Sequence, residues 1–163
     1  WTDLPPERVP VFKALRGTEG EKMVLDDNFF VEKMLFEAGV VRKLTDEEKA
    51  VYRAPFAEPG ESRLPTLLWP REIVFDGEPA DNYAPIKRYS DWLAQSHNLP
   101  KLFVNAEMGH GLAGAARDFC RTWPNQREIT VPAKHFLQED CPHEIGAALA
   151  EFVTQVRAGT FIP

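Results

Sequence analysis

The second half of this chain alternates between helical and strand patterns, and this alternation limits the folds that it can adopt. Residues 101–106 form a short apolar run typical of a buried parallel strand, and residues 127–131 form a second strand pattern. Helical patterns cover residues 80–95 before the first run, a segment up to Trp123 between the runs, and a segment from Cys141 onward. The alternation predicts an α/β fold with two βα units of a parallel sheet and helices on its faces.

A parallel sheet of only two strands would leave hydrogen-bonding edges and apolar faces exposed, which natural proteins avoid. We therefore expect further strands, either from a segment N-terminal to Trp1 or from a second copy of the chain by swapping. The chain also has no initiating Met, which suggests a piece of a longer protein.

The first 76 residues predict short helices and loops without a strand. Pro5-Pro6-Glu7 predicts a helix with proline in its first turn, and Gly17 ends that helix. Asn28 is a candidate cap for a second helix, which ends near Gly39.

The capping box Thr45-Asp46-Glu47-Glu48 predicts a helix that continues to about Ala54. From residue 55 to residue 70, prolines and a glycine permit only short helical pieces. The composition then changes near residue 76, so we expect one domain over residues 1–76 and a second over residues 77–163.

Composition and charge exclude several classes of partner. The formal charge is −6 and no basic run is present, which argues against nucleic acid and against anionic membrane surfaces. No apolar run approaches the roughly 20 residues that span a bilayer. Cys120 and Cys141 lack metal-ligand or CxxC spacing and are expected to be free thiols in a reducing compartment. We expect a cytoplasmic location, with the periplasm as the alternative, and neither a metal nor a cofactor.

One histidine lies where open α/β sheets place their reactive groups. His135 follows the second predicted strand, and Glu107 stands at the same point after the first. Because the carboxyl ends of parallel strands meet at one edge of the sheet, the two side chains should lie near each other. A carboxylate beside an imidazole orients it and stabilises its protonated form, as in a nucleophile-base-acid triad. His97 and His143 lie in polar helix-end contexts and are interpreted as surface residues.

The order of residues also resembles a triad, in which the base comes last, just before the terminal helix. His135 occupies that place. A nucleophile is missing, because the chain has no GxSxG and no Asp or Cys at a strand-to-helix elbow.

Five segments carry a more specific pattern. They are Asp27-Asn28-Phe29-Phe30-Val31-Glu32, Tyr52-Arg53-Ala54-Pro55-Phe56, Pro65-Thr66-Leu67-Leu68-Trp69-Pro70-Arg71, Phe119-Cys120-Arg121-Thr122-Trp123-Pro124-Asn125 and His135-Phe136-Leu137-Gln138-Glu139-Asp140. Together they resemble the C-terminal half of a haloalkane dehalogenase, in the subfamily that includes the hexachlorocyclohexane-degrading enzymes. The resemblance implies an α/β-hydrolase fold, with residues 1–76 as the helical cap and residues 77–163 as the last two βα units of the core.

The resemblance also implies site residues. His135 matches the family's general base, and Trp69 and Pro70 match the segment that lines the halide side of the pocket. Other apolar positions match the pocket or its tunnel: Phe12, Phe30, Met34, Ile73 and Phe136. Without the family, the same side chains would indicate ordinary packing between a cap and a core.

Glu107 has two possible roles. In the resembled subfamily the triad acid is a Glu after the sixth strand, which would precede Trp1, whereas a sister subfamily takes an Asp from after the seventh. Glu107 is thus either the acid or a spare carboxylate near the base. Met108 stands where the family usually has Pro, and His110-Gly111 replaces small or apolar residues, so we expect altered access or a looser loop there.

The implied function is cleavage of the carbon–halogen bond of a haloalkane by water, through an alkyl-enzyme ester, to give an alcohol and a halide ion. Because the nucleophile would precede Trp1, we expect this chain to need the enzyme's N-terminal half and to be inactive without it. The alternatives are a non-catalytic fragment or swapped segment, an epoxide hydrolase, and a Renilla-type luciferase. An epoxide hydrolase would need cap tyrosines facing the nucleophile, whereas Tyr52 is the only tyrosine of residues 1–76.

Overall fold

A computed structural model describes residues 6–109 and 111–163, and the chain divides into two compact units. Residues 39–42 and 89–163 contain the sheet and are called the sheet unit. Residues 2–38 and 43–88 consist of short helices and loops in their described part and are called the helical unit. The predicted domains 1–76 and 77–163 stay a prediction.

The elements follow the predicted order closely. In chain order they are α1 (Val9–Arg16), α2 (Thr18–Glu21), π-helices Lys22–Asp26 and Phe30–Gly39, α3 (Asp46–Arg53), 3₁₀ turns Ala54–Phe56 and Glu61–Arg63, α4 (Leu64–Arg71), α5 (Ala80–Gln95), β1 (Lys101–Ala106), α6 (Ala115–Arg121), β2 (Gln126–Val131), α7 (Leu137–Asp140) and α8 (Pro142–Ala158). The predicted elements from residue 80 onward are therefore present, with boundaries that shift by a few residues at most.

The helical unit has a small apolar centre and a buried cation. Leu15, Val24 and Leu67 are buried together, and Phe12 packs against them. Arg63 is 7% exposed, and its guanidinium donates to four backbone carbonyls, those of Leu25, Asp26, Phe56 and Ala57, at 2.7–3.1 Å. These carbonyls lie in loops and at the ends of short helical pieces, where no helical N–H group is available to them. A single side chain therefore joins three short segments.

The start of the first helix differs from the prediction. The helix begins at Val9 with Pro10 in its first turn, whereas Pro6 lies in the preceding turn and Pro5 lies outside the described residues. The proline in the helix's first turn is therefore Pro10. Gly17 ends the helix, as predicted.

The predicted cap at Asn28 is wrong. Its φ is +51°, and its side-chain Oδ1 is buried without a hydrogen-bond partner in the described part of the chain. An N-cap side chain reaches the first turn from an extended backbone, so the left-handed conformation directs Asn28 elsewhere. The capping box at Thr45 is confirmed, because Thr45 Oγ1 accepts from the Glu48 amide and Glu48 Oε2 accepts from the Thr45 amide.

The sheet unit is built on two parallel strands in direct register. Lys101 pairs with Gln126 and Ala106 pairs with Val131, so both strands end at the same level. Val131, Ala133 and Cys141 are buried beside the strands and form the centre of this unit. The predicted parallel pair is confirmed.

A buried lysine fixes the N-terminal end of the first strand. Lys101 is 9% exposed, and its Nζ donates to the carbonyls of Ser96, Leu99 and Pro124 at 2.6–3.0 Å. Burial lowers the pKa of this amine below its usual 10.5. The lysine thus ties both chain segments that lead into the strands.

The last helix has the predicted apolar positions, but it buries them incompletely. Ile145, Phe152 and Val153 are half-buried, whereas Leu149 is 51% exposed. Gly159 ends the helix in the left-handed conformation, with φ of +69°. This is the usual position for a glycine at a helix C-terminus.

Candidate functional site

A pocket of about 180 Å³ opens at the carboxyl end of the two strands. Its walls come from the second half of β1, from the glycine-rich loop that follows it, and from the loop after β2. The lining residues are Phe103, Val104, Asn105, Ala106, Gly109, Gly111, Leu112, Lys134, His135 and Leu137. Most of the lining is apolar, and an imidazole, an ammonium and a carboxamide are its polar groups. Such a site suits a small, weakly polar molecule.

His135 stands four residues beyond the end of β2, in a loop of residues 132–136. Its side chain is exposed, and its ring packs edge-on against Phe136 with ring centroids 4.9 Å apart. This brings together two of the predicted site residues.

Both neighbours of His135 have anchored backbone amides. The Lys134 amide donates to Asp140 Oδ2 at 3.1 Å, and the Phe136 amide donates to the carbonyl of Gly39 at 2.9 Å. Asp140 Oδ1 accepts in turn from the amides of Val41 and Arg42, at 2.8 and 3.1 Å. The histidine is therefore held between two fixed points, and both involve the segment 39–42.

A second contact reinforces this arrangement. The Arg42 guanidinium donates to the carbonyl of Glu139 at 2.6 Å and to its carboxylate at 2.9 Å. Segment 39–42 thus binds the short helix α7 through both a side chain and the main chain. The loop of His135 is fixed on a part of the chain that lies about 100 residues earlier, since Val41 and Asp140 are 99 residues apart.

The glycine-rich loop after β1 approaches the histidine closely. A Cβ atom at Gly111 would lie 3.4 Å from both Cε1 and Nδ1 of His135. A Cβ at Gly109 would lie 2.9 Å from Ala106, which is closer than side chains pack. Arg117 also stabilises this loop, because its guanidinium donates to the carbonyls of Ala106 and Leu112 at 3.3 and 3.2 Å. A side chain at position 109 would therefore clash, whereas a Cβ at position 111 would be in ordinary van der Waals contact with the His135 ring. His110 lies outside the described residues.

Glu107 stands directly after β1, as predicted, and its amide donates to the carbonyl of Val131 at 2.9 Å. The next amide, that of Met108, donates to Ala133 at 3.0 Å, so the strand pairing continues past the end of β1. The Glu107 side chain is exposed, and among residues 6–109 and 111–163 its carboxylate has no hydrogen bond or ion pair. Its role as the triad acid stays a prediction.

The remaining predicted residues lie in the helical unit. Phe30 and Trp69 pack edge to face with centroids 6.3 Å apart, and Trp69 is 58% exposed. Pro70 is fully buried, and Met34 is half-buried. Phe12 is half-buried and packs against the small apolar centre. Ile73 is half-buried, and its carbonyl accepts from Arg16 at 2.6 Å.

The thiols of the two cysteines, Cys120 and Cys141, are buried. Both cysteines are free, and burial raises the pKa of each above 9.0. For Cys141 the carboxylates of Glu144 and Asp140 raise it further. Within the described residues, no three His, Cys, Asp or Glu side chains converge as a metal site would require. None of the described helices has both the length and the apolarity that crossing a bilayer requires.

Three features of the site were not predicted from the sequence. They are the anchoring role of Asp140, the position of Gly111 against His135, and the buried Asn105, which donates to Thr130 Oγ1 at 3.0 Å while its own Oδ1 has no partner in the described chain. Of these three features, only Asn105 had a signal in the sequence, because it is a polar residue in the middle of an otherwise apolar strand.

No protein-family model matches the chain. The chain is 52% identical to a haloalkane dehalogenase of Sphingobium indicum over 157 residues. This alignment covers 96% of this chain and 52% of the relative. It is 40% identical over 158 residues to a coelenterazine h 2-monooxygenase of Renilla reniformis, with coverage of 96% and 49%. The chain thus spans about half the length of the curated relatives it matches.

The fold is similar to that of solved structures. A crystal structure of an ancestral haloalkane dehalogenase superposes with a TM-score of 0.85 at 41% identity, over 94% of this chain and 54% of that one. The sequence and the structure are thus both similar to those of haloalkane dehalogenases.

Proposed function

This chain belongs to the family of the haloalkane dehalogenases, within the α/β-hydrolase fold, and from this premise we propose that His135 is the general base of a carbon–halogen hydrolase. The observation that carries the proposal is the position of His135 in the wall of a mostly apolar pocket at the carboxyl end of both strands. The anchored backbone amides on either side of it fix the loop that carries the imidazole.

The proposed reaction has two steps. In the first, a carboxylate oxygen from a part of the enzyme outside this chain attacks the carbon that bears the halogen. The carbon–halogen bond breaks, halide leaves with its electron pair, and an alkyl ester forms. In the second, His135 takes a proton from water, and the water oxygen attacks the ester carbonyl carbon. The ester C–O bond breaks, the alkoxide takes up the proton from the imidazolium, and the carboxyl group releases the second proton of the water to solvent, which regenerates the carboxylate.

The apolar lining supports a haloalkane as the substrate. A small chloro- or bromoalkane has little hydrogen-bonding capacity, so a wall of Val104, Ala106 and Leu112 offers it dispersion contacts without stranding polar groups. We propose that Trp69 and Pro70 take the halide side and that Phe12, Phe30, Met34, Ile73 and Phe136 are the pocket or tunnel residues. Water and halide ion are the other small partners.

We propose Glu107 as a second charged residue of the site. Its carboxylate is exposed and has no hydrogen bond or ion pair among residues 6–109 and 111–163. This supports the role of a spare charge near the base better than the role of a buried acid, because a triad acid orients its histidine by a hydrogen bond. The nucleophile, and an acid upstream, are proposed to come from an N-terminal half of the same enzyme. We propose that the chain by itself does not turn over haloalkanes.

The test compares the His135→Ala variant with the parent, and both are prepared as the full-length protein that the gene encodes. Bromide release from 1-bromobutane at mildly alkaline pH is followed by rapid quench. We expect the variant to release at most one equivalent of bromide and to accumulate the alkyl ester, visible as added mass, because the ester is not hydrolysed. His143→Ala, an exposed histidine at the start of α8, is the matched control and should turn over as the parent does. Equal multiple turnover by His135→Ala would refute the proposal.

The alternatives are distinguished by substrate. Coelenterazine oxidation would give light with coelenterazine and no bromide release, and the lower identity to the Renilla enzyme makes it the second candidate. An epoxide hydrolase would hydrate an epoxide. The Tyr52 ring packs on Phe36 with centroids 6.2 Å apart, which supports a packing role for it.

A further inference from the structure

Asp140 holds the loop of His135 in a way that a surface carboxylate does not require. Its two oxygens accept three backbone N–H groups: Oδ2 takes that of Lys134, and Oδ1 takes those of Val41 and Arg42. Hydrogen bonds to an ionised acceptor are about twice as strong as those between neutral groups. The carboxylate therefore joins the residue before the histidine to a distant segment of the chain.

The contact on the other side of the histidine completes the arrangement. The Phe136 amide donates to the carbonyl of Gly39, which belongs to the same segment that Asp140 binds. His135 is thus suspended between two points, and both depend on residues 39–42. Its own side chain is exposed.

We propose that Asp140 is a positioning residue for His135, which acts through the loop backbone and contributes mainly to hydrolysis of the alkyl ester. The inference rests on the proposed function, because it assumes that His135 activates water. The first step needs no proton transfer to His135, whereas the second needs the imidazole within hydrogen-bond distance of the attacking water. A small displacement of the loop should therefore slow the second step and leave the first step unchanged.

The geometry also predicts how substitutions rank. Alanine removes all three acceptor contacts. Asparagine keeps an oxygen for Val41 and Arg42, but an amide N–H₂ group placed at Oδ2 cannot accept from Lys134. Asp140→Asn should therefore lie between the parent and Asp140→Ala.

The experiment separates the two steps by rapid quench with 1-bromobutane, in the protein as its gene encodes it. For Asp140→Ala we expect a bromide burst within about twofold of the parent, followed by steady turnover that is slower by about 10- to 100-fold, because small misplacements of a reacting group have effects of this size. Asp140→Asn should show the same pattern with a smaller loss, and it decides the question if the alanine variant does not fold.

Glu144→Ala is the matched control. It removes an exposed carboxylate of the last helix and leaves all three hydrogen bonds that Asp140 accepts in place. We expect its burst and its turnover to stay within about twofold of the parent.

The possible results separate this inference from the proposed function. If His135→Ala stalls at the ester but both Asp140 variants turn over as the parent does, positioning by Asp140 is refuted and the base assignment stands. If burst and turnover fall together in both Asp140 variants, the role is structural and the inference is again refuted. If His135→Ala turns over normally, the proposed function fails first.

Discussion

The two units of this chain satisfy their backbone groups in different ways. In the sheet unit, the ladder between β1 and β2 pairs the main chains of the two strands, and a few side chains such as Lys101 and Asp140 bind backbone groups near its ends. In the helical unit, short helical pieces leave many carbonyls without helical partners. Arginines supply the missing donors: Arg63 binds four carbonyls, and Arg16 and Arg71 bind two each.

This difference shows where each unit is sensitive to substitution. A strand ladder spreads its stabilisation over many bonds, so that no single side chain controls it. The helical unit concentrates several backbone contacts on single cations. Removal of one such cation takes the donor from several backbone carbonyls at once.

Arg63→Ala should cause the largest loss of stability, and this loss should occur mainly in the helical unit. Four carbonyls lose the Arg63 donor, and of these the Leu25 carbonyl keeps the Gly60 amide, so we expect the opening free energy of that unit to fall by about 3 kcal/mol. Hydrogen exchange measured by mass spectrometry on peptides from each unit is the test. Arg157→Ala, an exposed arginine in α8, is the control. A loss shared equally by both units would contradict the comparison.

Lys101→Met should destabilise the sheet unit, but by less. Methionine keeps the apolar stem and removes the donor of three carbonyls, and the strand ladder remains, so we expect a loss of about 2 kcal/mol. Exchange at the amides of residues 101–106 and 126–131 reports it. Lys43→Met, at an exposed lysine of the helical unit, is the control. If that exchange is unchanged, Lys101 does not hold the start of the strands.

The smallest effects should come from two fork-shaped ion pairs, one in each unit. Arg121 binds Glu128 and Arg53 binds Glu32, each through two contacts of 2.7–2.8 Å. In both pairs the arginine lowers the pKa of the carboxyl below 4.5. Each pair therefore stabilises the folded chain at and above pH 4.5, and this stabilisation is lost as the pH falls through the lowered pKa.

The measurement is unfolding between pH 6 and pH 3 for the parent, Glu128→Gln and Glu32→Gln. Each variant should lose less stability on acidification than the parent does, and 0.5 M salt should reduce the difference. Because these side chains are partly exposed, the Glu32 pair should contribute less than about 1 kcal/mol. A variant that is as sensitive to acid as the parent would exclude a stabilising role for its ion pair.

Much of the fold follows from local patterns. The strands at 101–106 and 126–131, the helix with its capping box at Thr45, and the loop position of His135 are all encoded within a few residues of sequence. Periodicity and capping rules are sufficient there, because the determining interactions lie between near neighbours.

The remaining features depend on contacts between distant residues. Asn28 has the residue type of a cap, but tertiary packing places it in a left-handed conformation. Arg63 and Asp140 are ordinary charged residues by sequence, and their roles depend on acceptors or donors that are up to 38 and 99 residues away. A single sequence carries no local signal for such partners.

The Asp140 carboxylate closes two chain loops of very different size, one of six residues to Lys134 and one of 99 residues to Val41. The entropy lost on closing a loop grows with its length, and contacts between distant residues are slow to form. The short loop can therefore close as soon as the chain turns after β2, whereas the long one must wait for residues 39–42. During folding, the final geometry around His135 is thus reached late, only after segments from both halves of the chain have come together.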